Sequence, residues 1–125
     1  MKKVLVIDDA ELILELIKLH MEKSNYLVDV CDDSEIALKM LEKAHYDLIL
    51  LDIEMPGKNG VEILRMIKSQ ESIRRTPVIM LTAKDDPASI NECMASGATD
   101  YILKPFNILS AMKRIEDVLK RGRLN

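Results

Sequence analysis

The sequence predicts a doubly wound α/β domain, with five parallel strands alternating with five helices in a three-layer sandwich. Three observations predict it. Val4-Leu5-Val6-Ile7, Leu48-Ile49-Leu50-Leu51 and Val78-Ile79-Met80-Leu81 are unbroken apolar runs of strand length, as parallel strands buried on both faces require. The segments between them carry helical periodicity. The chain has 125 residues, nearly half of them apolar and about a third charged, which suits one domain with one core and argues against disorder.

Taken in order, the first strand is Val4–Ile7. In the helix after it, Leu12, Leu16 and Leu19, with Ile13 and Ile17, cover the side opposite a polar stripe of Glu11, Glu15, Lys18 and Glu22. Leu27 to Cys31 is a weaker, mixed run and reads as an edge strand. Ile36, Ala37, Met40, Leu41 and Ala44 form the apolar face of a second helix, and Val61, Leu64 and Ile67 that of a third. Asp86-Pro87 opens a fourth helix, a cap followed by proline at the first helical position, and Gly97 ends it. Tyr101 to Leu103 is the other edge strand. Asn107 caps a fifth helix with Ile108, Met112, Ile115 and Leu119 on its apolar face. Its basic tail, Lys120-Arg121-Gly122-Arg123, favours the negative end of that helix. Placing the three most apolar strands at the centre gives the order 2-1-3-4-5, the flavodoxin-like arrangement.

Composition excludes several classes of function. A net charge of −3 does not make a nucleic-acid-binding surface. No apolar run approaches the roughly 20 residues needed to span a bilayer. The apolar run after Met1-Lys2-Lys3 is broken at once by Asp8-Asp9, so it does not read as a signal peptide. Cys31 and Cys93 are the only cysteines, and His20 and His45 lie apart. Neither a disulfide framework nor a zinc site is expected, and a reducing cytoplasm is the simplest location.

In a sheet of this order, ligands bind beyond the carboxyl ends of the strands, at the switch point between strands one and three. Strand one ends in Asp8-Asp9, strand three in Asp52, strand four in Thr82 and strand five in Lys104-Pro105. Singly, each has an ordinary structural reading, as a helix cap, a turn residue or a solvated lysine. Together they put three acids, a hydroxyl and an ammonium on one rim. Two carboxylates 4 Å apart repel by about 4 kcal/mol at an effective dielectric of 20. The cluster therefore needs protons, the lysine or a bound cation, and a hard divalent ion with oxygen ligands meets that need.

The ordered set of Asp8-Asp9, the run from Leu51-Asp52 through Ile53-Glu54-Met55-Pro56-Gly57-Lys58-Asn59-Gly60, Thr82-Ala83 and Lys104-Pro105-Phe106 closely resembles the receiver domains of two-component response regulators. The resemblance spans residues 1–125, read as one receiver domain. It implies that Asp52 is the phosphoacceptor, charged from a phosphohistidine on a sensor histidine kinase or a histidine phosphotransfer protein. It implies Mg²⁺ held by Asp9, Asp52 and the backbone carbonyl of Glu54, with Asp8 acting through a metal-bound water. Lys104 would pair with one phosphoryl oxygen and the Thr82 hydroxyl would bond another. Thr82 and Tyr101 would be the switch pair, and Pro105 a cis-proline that aims Lys104. Output would run through the face made by the fourth helix, fifth strand and fifth helix. Such a domain is a switch rather than a turnover enzyme, and within this chain contacts neither nucleic acid nor membrane. Glu54 and Lys84, each two residues beyond an active-site residue, are expected to pair across the pocket mouth.

Three other readings compete. An aspartate-nucleophile phosphatase would place an acid two residues on, as Glu54 is, but has no need of Asp8-Asp9. A flavodoxin-like cofactor binder needs a phosphate-cradling loop after strand one, where this chain has Asp-Asp-Ala-Glu. A degenerate receiver that only binds partners would lack part of the set Asp8, Asp9, Asp52, Thr82 and Lys104.

Overall fold

The computed structural model describes residues 1–122; Arg123 of the basic tail lies outside them. Five strands, β1 (Lys3–Ile7), β2 (Leu27–Cys31), β3 (Leu48–Asp52), β4 (Val78–Thr82) and β5 (Asp100–Leu103), alternate with five helices. The helices are α1 (Glu11–Lys23), α2 (Ser34–Lys43), α3 (Gly60–Ser69), α4 (Pro87–Ala95) and α5 (Ile108–Arg121). All strand pairs are parallel, and the order is β2-β1-β3-β4-β5, as the apolar runs predict.

The alternation of side chains along each strand divides the core in two. Leu5, Ile7, Ile49, Leu51 and Met80 face α2, α3 and α4. Val4, Val6, Leu50, Ile79 and Leu81 face α1 and α5. Every residue of β3 and β4 is buried. Fully burying one Leu or Ile side chain contributes about 1.5–3 kcal/mol, so the central strands are the stiffest part of the fold, and the site residues sit at their ends.

Capping follows the sequence closely. The Asp86 carboxylate accepts the Ser89 N–H with Pro87 at the first helical position. Asn107 accepts from the Leu109 and Ser110 N–H groups, and Asn59 caps α3 through the Glu62 N–H. Gly97 follows the end of α4 at φ +109° over the Lys68 stem, where a side chain would be strained.

Two helix faces differ from the periodicity reading. In α1 the buried stripe is Leu14, Ile17 and Met21, while Leu12 and Leu19 are 79% and 51% exposed. This helix is apolar over most of its circumference, so its pattern is satisfied by more than one rotation. In α2 the buried residues are Ser34, Ala37 and Leu41, and Ile36 points to solvent. The small Ala37 lets α2 lie close to the sheet, and Ile36 falls a third of a turn away.

Gly60, the first residue of α3, fixes the loop after β3. Its N–H donates to the Ile53 carbonyl at 2.7 Å. A Cβ there would lie 2.3 Å from the Asp52 carbonyl oxygen and 2.6 Å from the Ile53 Cα. Both are backbone atoms, so the helix itself would have to move. Gly60→Ala is expected to destabilise the domain by about 3 kcal/mol, the upper range of overpacking costs. Urea denaturation at neutral pH measures this; a loss under 1 kcal/mol would show that the loop yields freely.

Candidate functional site

β1 and β3 are neighbours in the sheet, paired as far as Ile7 with Leu51. The residue after each pair is therefore an acid, and Asp8 and Asp52 meet at the switch point. Asp8 is fully buried and Asp52 is 2% exposed. Asp9 lies on the surface beside them. The three carboxylates each place an oxygen within 4.8 Å of the others.

Lys104 arrives from the end of β5. Its backbone N–H donates to the Thr82 carbonyl at 2.7 Å, which ties the β5 exit to the end of β4. The Lys104–Pro105 peptide bond is cis. The Lys104 Nζ lies 2.7 Å from Asp8 Oδ2 and 3.3 Å from Asp52 Oδ1. Asp8 Oδ1 accepts the Ala10 N–H at 2.9 Å, and Asp52 Oδ1 accepts the Glu54 N–H at 3.1 Å.

Burial pushes the Asp52 carboxyl pKa up, and the Asp8 charge raises it further; the Glu54 N–H and Lys104 oppose this without cancelling it. Burial would also lower the Lys104 pKa. The hydrogen bond and charge of Asp8, with the charge of Asp52, outweigh burial and hold the ammonium above its ordinary value. Asp52 thus presents a more basic carboxylate oxygen than a solvated aspartate, in reach of a fixed positive charge.

The donor set fits a hard divalent cation. Three carboxylates offer oxygens at one point, and among the described residues the buried Asp8 Oδ2 has no partner besides the Lys104 ammonium. One ammonium leaves the cluster with excess negative charge, which Mg²⁺, preferring carboxylate and phosphate oxygens, would neutralise.

Thr82, 2% exposed, ends β4. Its hydroxyl donates to Glu54 Oε1 at 3.2 Å and accepts the Lys84 N–H at 2.9 Å. This corrects the expected pairing of Glu54 with Lys84. No ion pair joins them among the described residues; Lys84 contributes its backbone N–H to Thr82, and the Glu54 carboxylate also turns to Thr82. Tyr101 lies one strand away, partly buried against the α2–α4 side of the core. Arg114 from α5 caps it, 5.8 Å from the ring centroid, while its Nη1 bonds Asp100 Oδ1 and the Tyr101 carbonyl, both at 2.9 Å. Sequence reasoning missed Arg114 and the steric need for Gly60. Arg114 carried no local signal, whereas Gly60 directly after the cap Asn59 was a readable sign of close approach.

Fold and site together define an α/β domain with an acidic, cation-ready pocket at the carboxyl edge of its sheet. The chain belongs to the response regulator receiver domain family, whose model matches residues 4–116. It is 39% identical over 120 residues to the transcriptional regulatory protein ResD of Bacillus subtilis, covering 96% of this chain and 49% of that protein. It is also 39% identical over 121 residues to the response regulator ArlR of Staphylococcus saprophyticus, covering 97% and 54%. The chain thus spans about half the length of these relatives. Among solved structures, the chemotaxis response regulator CheY4 of Vibrio cholerae superposes with a TM-score of 0.90 at 33% identity, covering 94% of this chain and 98% of that one. The response regulator TrrA of Thermotoga maritima, solved with Mg²⁺ and a beryllium fluoride, gives 0.82 at 34% identity, covering 94% and 99%. These similarities establish a two-component receiver domain with the flavodoxin-like topology, and receiver domains are signalling switches.

Asp52 carries a stability signature. A carboxyl whose pKa is raised by folding stabilises the fold while protonated, and that contribution is lost as pH rises through the raised value. At neutral pH the ionised Asp52 therefore opposes folding. Asp52→Asn is expected to melt several degrees higher than wild type at pH 7 in chelator, each kcal/mol of relieved repulsion being worth roughly 3–6 °C in a domain this size. The difference should vanish below a pH of about 4, where both folded and unfolded wild type hold the proton. Calorimetry across pH measures it; equal melting at pH 7 would mean that Lys104 fully offsets the repulsion.

Proposed function

We propose that residues 1–125 form one receiver domain that takes a phosphoryl group on Asp52 and signals through the change that follows. The observation that carries this reading is the position of Asp52: a buried carboxylate beside Asp8, sharing the Lys104 ammonium with it at 3.3 Å, its pKa raised by burial. One Asp52 oxygen attacks the phosphorus of a phosphohistidine on a sensor histidine kinase or histidine phosphotransfer protein. The P–O bond forms as the P–N bond breaks, and the electron pair returns to the imidazole. Lys104 exchanges part of its contact with Asp52 for a phosphoryl oxygen. The Thr82 hydroxyl turns to donate to another.

Asp8, Asp9, Asp52 and the Glu54 backbone carbonyl would hold Mg²⁺. When bound, Mg²⁺ supplies charge neutralisation to the acids and the transferring group. Loss of the phosphoryl group to water returns the site to rest. Tyr101 would follow Thr82, changing the face built from α4, β5 and α5, where a downstream protein binds. Pro105 holds the turn that delivers Lys104. No helix among the described residues is long and apolar enough to cross a membrane, and the cytoplasm is the proposed location, with no direct contact to nucleic acid by this chain.

Incubation with Mg²⁺ and a small acyl-phosphate donor, followed by intact mass spectrometry, tests the assignment. Wild type should gain the mass of one phosphoryl group, whereas Asp52→Asn, or wild type in chelator, should not. No gain in wild type, also with a cognate kinase, would favour a module that only binds partners. Steady turnover of a generic phosphate ester would favour a phosphatase.

A further inference from the structure

The Thr82 hydroxyl has one proton to donate, and in this structure the Glu54 carboxylate accepts it as a hydrogen bond. Thr82 Oγ1 donates to Glu54 Oε1 at 3.2 Å. The same oxygen accepts the Lys84 N–H at 2.9 Å, so that N–H sits on a lone pair and leaves the proton aimed at Glu54. Glu54 is exposed at its side chain, yet its backbone is fixed. Its N–H donates to Asp52 Oδ1, and the Gly60 N–H to the Ile53 carbonyl clamps the residue before it. No lysine or arginine forms an ion pair with Glu54 among the described residues, so the Thr82 hydroxyl is the side-chain donor its carboxylate has found there.

We propose that Glu54 is a positioning residue, a carboxylate latch that keeps the Thr82 hydroxyl turned away from the Asp52 pocket until a phosphoryl group competes for its proton. The proposal rests on the reading of Asp52 as phosphoacceptor. A hydroxyl can donate to one acceptor at a time. A phosphoryl oxygen on Asp52 and the Glu54 carboxylate are both anionic acceptors, so they contest the same donor. The resting contact therefore raises the threshold for switching. Once the hydroxyl turns its hydrogen bond to the phosphoryl group, Glu54 loses its partner and is repelled by the added negative charge. The carboxylate is then free at the pocket mouth.

Beryllofluoride with Mg²⁺, an anion of phosphoryl shape, tests this by fluorine NMR titration. Glu54→Ala should lower the half-saturating concentration about three- to tenfold, the equivalent of one hydrogen bond of ordinary net strength. Glu54→Gln, a neutral acceptor of the same shape, should fall between. A double-mutant cycle then separates the latch from simple charge repulsion. In the Thr82→Val background, removing Glu54 should change binding little; in the Thr82→Ser background, which keeps a hydroxyl, the tightening should return. Equal tightening with and without the hydroxyl would overturn the latch in favour of direct repulsion, and no tightening would overturn both. A readout without any ligand stands apart from the Asp52 assignment: solvent exchange of the Thr82 hydroxyl proton, followed by proton NMR of the metal-free protein, should be faster in Glu54→Ala, while the Lys84 N–H still holds Oγ1 in place. Unchanged exchange overturns the latch. Faster exchange on mutation in a protein that binds no beryllofluoride overturns the phosphoacceptor reading and, with it, the proposed competition.

Discussion

Two carboxylates, Asp8 and Asp52, are buried side by side with one ammonium between them, and the rest of the site is arranged around that imbalance. Lys104 reaches both, at 2.7 and 3.3 Å, and the three charges leave one negative charge over before Asp9 is counted. Water cannot dilute this, because Asp8 is fully buried. Removing Lys104 would strand both acids in a medium that solvates them poorly. Burial and then the Asp8 charge raise the Asp52 pKa, while the two acids raise the Lys104 pKa against the burial that would lower it. The imbalance also makes the pocket a place where a cation is electrostatically better accommodated than nothing at all.

Holding like charges together requires a backbone that will not relax away from them. The sheet supplies it. Asp8, Asp52 and Thr82 sit at the ends of β1, β3 and β4, whose apolar residues are buried from both sides. Sliding any strand to separate the acids would move its whole apolar set out of register with two cores. The loop after β3 is held equally firmly, since Gly60 brings α3 against the Asp52 carbonyl more closely than any residue with a side chain could. Repulsion at the rim is therefore borne by interior packing far from it, which is how a strained functional cluster persists in a small domain.

Much of this was legible in the sequence because strand interiors and strand ends obey different rules. Val4 to Ile7, Leu48 to Leu51 and Val78 to Leu81 announce buried parallel strands, and topology alone then gathers Asp8, Asp9, Asp52, Thr82 and Lys104. Caps were readable for the same local reason: Asp86, Asn59 and Asn107 satisfy N–H groups within three residues of themselves. What failed to show were choices decided by tertiary contact. The α1 sequence fits several rotations, and only the neighbouring sheet and α5 select Leu14, Ile17 and Met21 over Leu12 and Leu19. Glu54 and Lys84 look like an ion pair by charge. The buried Thr82 hydroxyl, a better-positioned donor than an exposed lysine, takes the Glu54 carboxylate instead. Exposed ion pairs gain about 0–1 kcal/mol and seldom dictate geometry.

That last choice bears on how a switch of this kind can rest without drifting. Lys104 is already engaged twice, so under the proposed reading it would have to give up a contact to meet a phosphoryl group. Thr82 would sense the change more simply, because its single hydroxyl proton serves one acceptor at a time and is given to the Glu54 carboxylate at rest. The Lys104 N–H bond to the Thr82 carbonyl couples β4 to β5. On β5, Tyr101 is braced by Arg114, which is itself held by Asp100. Under the proposed function, a rotation at Thr82 would reach the Tyr101 ring through this short path of backbone and packed side chains. The same rigidity that confines the acids makes this path discrete, since a close-packed core passes from one arrangement to another more readily than it deforms by degrees.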